Sequence, residues 1–145
     1  MVNITIVSRF SDGLPPGEGE TRKIPGGPLY PAAEVLELLA DVGDQAVRAW
    51  TDKCSKDMQK WSLDADDLCE LLRIALNSGR FLGAEWCVQR PDGPWAACDA
   101  YSLVRQEWVC HARREMDMEY YIKFAIAKTG KILLVVSCHP PESKR

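Results

Sequence analysis

The run Glu119-Tyr-Tyr-Ile-Lys-Phe-Ala-Ile-Ala127, then Lys128-Thr-Gly-Lys131, then Ile132-Leu-Leu-Val-Val-Ser-Cys-His139 decides how this chain folds. Two β-rich segments flank a Thr-Gly turn, the pattern of a hairpin. Side chains alternate across a strand, so Tyr120, Ile122, Phe124 and Ile126 share one face. Glu119, Tyr121 and Lys123 take the other. That second face carries an acid, a phenol and an amine, and His139 ends the neighbouring strand. Such groups move protons and bind phosphate. They also occur on any solvated sheet face, and the pattern by itself favours that plainer role.

Upstream of the hairpin the pattern changes from strands to helices. Gly83–Gln89 reads as a strand followed by the turn Arg90-Pro-Asp-Gly-Pro94, with Trp95–Tyr101 and Leu103–Val109 as further strands. Before them, Leu63-Asp64-Ala65-Asp66-Asp67 supplies a cap and an acidic first turn. Leu68, Leu71, Leu72, Ala75 and Leu76 then repeat at helical spacing until Asn77-Ser78-Gly79. A helix is expected over Gln45–Lys56, with Val47, Trp50 and Cys54 along one side. Another begins at Ala32, with Val35, Leu36, Leu38 and Leu39 as its stripe, and stops near Asp41–Gly43. Val2–Ser8 alternates like a short strand, and Ser11–Pro31 is rich in Gly and Pro and reads as a loop. The order, helices first and then an antiparallel sheet, predicts an α+β fold. Residues 1–31 form an arm, 32–141 one domain and 142–145 a polar tail.

With 145 residues, 46% of them hydrophobic, the chain can build a core without disulfides or metal. Its longest apolar run, Ile132–Val136, is strand-sized, so no membrane span is expected. The opening Met-Val-Asn-Ile-Thr-Ile-Val-Ser lacks the basic end and long apolar stretch of a secretory signal. Reduced cysteines and a cytoplasmic location are the expectation. The net charge of −3 argues against a general nucleic-acid coat protein. From Tyr101 onward, however, eight Lys/Arg face five Asp/Glu, whereas the first hundred residues hold ten against sixteen. The proposed sheet is therefore the basic half, and an anionic ligand there is permitted.

Three constellations bear on chemistry. Cys98, Cys110-His111 and Cys138-His139 lack a CxxC-type knuckle, and adjacent residues on a strand point to opposite faces. Buried structural cysteines explain them better than a metal site. Trp50, Trp61, Trp86, Trp95 and Trp108 share no period and have few basic neighbours, which places most of them in the core. The third is the open hairpin face: Tyr101, Arg105, Tyr121, Lys123 and His139 are expected to converge on it. A metal-free ribonuclease needs little more: a base for the 2′-hydroxyl, cations for the phosphate and an acid for the leaving 5′-oxygen. His139 is the residue type suited to proton transfer near neutral pH, Lys123 and Arg105 carry charge for the phosphate, and Tyr121 can orient the ribose.

From about Leu36 to His139 the chain resembles the MqsR family of mRNA-cleaving toxins, which share the RelE-like fold. Leu63-Asp64-x-Asp66-x-Leu68-Cys69, with the helix after it and Arg80-Phe81, resembles the family's helix and first core strand. Trp95 with Asp99-x-Tyr101 resembles its Trp-Gln-Asp-x-Tyr segment, stretched by two residues. Tyr121-Ile122-Lys123 and Leu134-Val135-Val136-Ser137 resemble its closing hairpin. The arm has no counterpart. The resemblance implies N-terminal helices on a small twisted antiparallel sheet, an endoribonuclease that cuts messenger RNA without cofactor, and a cognate protein antitoxin. It places the family's catalytic tyrosine at Tyr121 and its C-terminal lysine at His139. A further family lysine falls at Gly83 and a glutamine at Ala96–Cys98, so two groups are missing. The alternative is a catalytically silent relative that binds RNA or a protein through the same face; a zinc-dependent interaction module is a third reading.

Overall fold

Asp64 starts a helix just where its sequence places one. Its carboxylate accepts the Asp67 N–H at 2.9 Å while the Asp67 carboxylate accepts the Asp64 N–H at 2.9 Å, a reciprocal capping box. The computed structural model describes residues 4–141, so the expected strand from Val2 lies partly outside the described residues. In chain order the elements are β1 (Lys23–Ile24), α1 (Ala32–Val42), a 3-10 turn (Gly43–Ala46), β2 (Val47–Ala49), α2 (Asp52–Lys60), α3 (Ala65–Ser78), β3 (Arg80–Val88), β4 (Trp95–Val109), β5 (Arg114–Ile126) and β6 (Leu133–His139). Of the expected first strand, Ile6 and Ser8 make only isolated bridges, to Trp95 and Ala127.

Helices and a sheet are both present, and the sheet is the larger part. It has six strands in the order β1-β3-β4-β5-β6-β2. Two expectations need correction. The sheet is mixed rather than antiparallel, because β2 runs parallel to β6. The helices do not simply precede it, since β1 and β2 come before α2. The expected helix over Gln45–Lys56 is also displaced. Val47 enters the sheet edge, and Thr51 caps a helix that begins only at Asp52, its Oγ1 accepting the Cys54 N–H at 3.0 Å. Non-local pairing with β6 outweighs the local helical spacing of Val47, Trp50 and Cys54.

The edge of β6 is closed by this segment. Trp50 N–H donates to the Val135 carbonyl at 2.9 Å, the Thr51 hydroxyl to Val136 at 2.6 Å, and Cys138 N–H to the Asp57 carboxylate at 3.1 Å. On one sheet face α3 buries Leu68, Leu71, Leu72 and Ala75 with Leu103, Ile122 and Phe124. Burying each large apolar side chain contributes about 1.5–3 kcal/mol. β4 is a single strand where the sequence suggested two, and it pairs with β5 from Asp99↔Phe124 out to Val109↔Arg114. Tyr30, at the end of the arm, is fully buried and donates its hydroxyl to the Ala97 carbonyl at 2.5 Å. The Leu29 and Tyr30 amides donate to the Asp99 carboxylate at 2.9–3.1 Å. Burial pushes that carboxyl up, and the two amides pull it back only in part.

Candidate functional site

Register decides which side chains meet. Arg105 reaches Asp67 and Glu70 of α3, so Tyr101, Leu103 and Arg105 point to the helix side and Ser102 to the other. Ser102 pairs with Tyr121, and Tyr121 with His139; Ala100 pairs with Lys123, and Lys123 with Ser137. Tyr121, Lys123, Ser137 and His139 therefore share the face turned away from α3, as the alternation of β5 predicted. A cleft of about 830 Å³ opens there. These four side chains form one wall, Gly83 and Ala100 lie in the floor, and Lys23, Ile24 and Pro25 form the opposite wall.

The His139 and Tyr121 rings meet edge to face with centres 6.0 Å apart. His139 Nδ1 lies 2.8 Å from the Pro140 carbonyl. Donation from Nδ1 leaves Nε2 as the free nitrogen of the neutral ring, able to accept a proton and, once charged, to give one. Lys123 forms an ion pair with Glu85, which the sequence reading did not single out. Burial works to lower the Lys123 ammonium, but the Glu85 hydrogen bond and the neighbouring Cys87 outweigh it, and the net shift is upward. Lys23, from the arm, is also new to the site; it is exposed and faces the cleft. The alternation of β3 could have put Glu85 and Gly83 on one face, but nothing local joins either residue to Lys123.

Tyr101 and Arg105 do not join this site, contrary to expectation. Tyr101 is buried under the helices, its ring 5.5 Å from Phe81 and 6.2 Å from Phe124. Burial raises its phenol, and Asp99 adds to the rise. Arg105 is held by Glu107 at 2.7 Å, Asp67 at 3.0 Å and Glu70 at 3.3 Å. Burial opposes its charge, but Glu107 and Asp67 overcome that and raise the guanidinium further. Its charge is thus neutralised on the wrong face for a substrate in the cleft.

The tryptophan expectation also changes. Only Trp86 is buried, Trp50 and Trp95 are half-buried, and Trp61 and Trp108 are 39% and 59% exposed. Cys54, Cys69, Cys87, Cys98 and Cys138 are buried free thiols, with Cys54 and Cys138 Sγ atoms 3.9 Å apart; Cys110 is exposed. Among the described residues, no group of three or more His, Cys, Asp or Glu is placed to hold a metal ion. No helix among them is long and apolar enough to cross a membrane.

The positions where the resemblance implies missing groups also have places in the structure. Gly83 lies in the cleft floor at φ +141°, with open space where a Cβ would stand. Ala96–Cys98 is buried in β4. In comparisons with known proteins, the chain matches no family model, no curated protein and no solved structure.

Proposed function

We propose that this protein is a metal-independent endoribonuclease of the RelE-like type, acting on messenger RNA as the toxin of a toxin–antitoxin pair. The observation that carries the reading is the meeting of His139, Tyr121 and Lys123 in one cleft on the open sheet face. The motif resemblance supplies the class of reaction, and the cleft supplies a place for it. A substrate phosphate competes with Glu85 for the Lys123 ammonium. The released Glu85 carboxylate then accepts the proton of the attacking 2′-hydroxyl, Lys123 balances charge on the pentacovalent phosphate, and His139 Nε2–H protonates the departing 5′-oxygen. Tyr121, in edge contact with His139, holds the ribose. The products are a 2′,3′-cyclic phosphate and a 5′-hydroxyl end.

The test is purified protein on a defined single-stranded RNA in a chelator, with product ends mapped, alongside induced expression in cells. Cleavage leaving 5′-hydroxyl ends, together with growth arrest, supports the reading. Intact RNA and undiminished growth at high expression overturn it. The second reading, a silent relative that only binds RNA or a protein, is favoured by one feature: Lys123 is neutralised by Glu85 and Gly83 adds no cation beside it. RNA binding without cleavage under the same conditions selects it. Protection of growth by coexpression of a small neighbouring reading frame identifies the antitoxin.

A further inference from the structure

A second cleft, of about 290 Å³, meets the first at His139, which lines both. Its walls are Lys53, Asp57 and Lys60 of α2, Trp61 at the end of that helix, and Pro140–Pro141. Trp61 is 39% exposed, and Lys60 Nζ lies 5.2 Å from the centre of its ring. Among the described residues the acid of this cleft is Asp57, which accepts the Cys138 N–H at 3.1 Å and pairs with Lys53 at 3.3 Å. Lys60 therefore brings a positive charge that no acid among the described residues pairs with.

An exposed indole beside an ammonium suits one nucleotide of a single strand. The ring stacks a base, and the cation meets a phosphate. A duplex offers no free base face for the ring. Past Tyr121 the same face continues into the long β4–β5 hairpin, where the exposed Glu115, Asp117 and Glu119 repel phosphate. His139, paired with Tyr121, borders Lys60 and Trp61 through the second cleft.

We infer that the Trp61–Lys60 patch is a subsite for single-stranded RNA, holding the nucleotide next to the one whose phosphate lies at His139. The inference rests on the ribonuclease reading for the identity of the strand. The strand passes Lys123 and His139 in the first cleft and reaches Trp61 through the second.

The experiment measures binding of a labelled single-stranded oligoribonucleotide with 2′-O-methyl ribose throughout, which lacks the hydroxyl that cleavage needs. Trp61→Ala is expected to weaken binding about tenfold or more, while Trp61→Phe keeps most of it. Lys60→Ala weakens binding less and flattens its dependence on salt. The matching duplex is expected to bind far more weakly. Equal affinity of Trp61→Ala and the unchanged protein, equal affinity for duplex, or no binding by the unchanged protein overturns the subsite. If Trp61→Ala lowers the thermal midpoint by more than a few degrees, Lys60→Glu decides instead, with unaltered affinity overturning the inference. Cleavage of unmodified RNA is scored separately. Trp61-dependent binding without cleavage overturns the ribonuclease reading and supports the subsite; cleavage with Trp61-independent binding overturns the subsite alone.

Discussion

Tyr101 and Tyr121 stand on neighbouring strands and serve opposite ends. Tyr121 pairs with Ser102 and looks into the cleft, whereas Tyr101 pairs with Ile122 and is sealed beneath α3. Arg105 and Lys123 divide in the same way, each held by carboxylates but on different faces. A shift of one residue in register would exchange every one of these roles. Residue type therefore says little about function in this sheet until the pairing is known. The helix face is the stabilising one, and the open face carries the candidate chemistry.

That division can be broken most sharply at Tyr101. Tyr101→Ala leaves a hole between Phe81 and Phe124 and is expected to cost about 3–5 kcal/mol of stability, read by denaturant unfolding. Unchanged stability with lost activity would put Tyr101 on the wrong side of the comparison. His139→Ala should do the reverse: cleavage of a defined RNA falls about a hundredfold or more while the unfolding midpoint stays put. His139→Lys should recover part of the rate. A normal rate in His139→Ala removes the residue from the mechanism.

Arg105→Ala is expected to cost about 2–3 kcal/mol, less than for a fully buried ion pair because Asp67 and Glu70 are partly exposed. It also sharpens the pH behaviour of the helix face. Burial acts to raise the Asp67 carboxyl, but the Asp64 amide and Arg105 outweigh it and hold it below its ordinary value of 3.8. A depressed carboxylate stabilises the fold above the unfolded value, and that contribution drains away as pH falls through the lower folded value. The unchanged protein should therefore lose stability in acid below about pH 4, and Arg105→Ala should lose less over the same range. Unfolding free energies between pH 7 and pH 3 check the sign; an equal acid loss in both would sink the assignment. Glu85→Gln is expected to cost at most about 1 kcal/mol of stability, as for a partly exposed pair. Its informative readout is a split: tighter binding of uncleavable RNA with slower cleavage. A parallel loss of both would make Glu85 a structural partner only.

The sequence carried the local signals well. The capping acids and leucine stripe of α3, the closing hairpin and the alternation that unites Tyr121 with Lys123 all come from residues close together in the chain. What it could not carry was pairing over distance. The parity of β4 against β5 has no local mark, so the sequence does not tell that Tyr101 and Arg105 face the helices. Glu85 lies 38 residues before Lys123, and Lys23 reaches the cleft only because β1 pairs with β3. Val47, Trp50 and Cys54 show the same limit from the other side, since their helical spacing is real yet the edge of β6 claims the first of them. Trp61 kept its exposure hidden because an aromatic residue at a helix end has no periodicity to betray it.

The closing of β6 has a consequence for how copies of this chain meet. An open sheet edge is a template on which a second molecule can lay a strand. Here one border is occupied from Leu133 to Cys138 by β2, Trp50, Thr51 and Asp57. The other is shielded at its centre by β1, which ends against Pro25, a residue with no amide hydrogen to offer. Along β6 and at the centre of β3, protection against edge-to-edge pairing is thus built from the two short strands that the helical and loop readings of the sequence concealed.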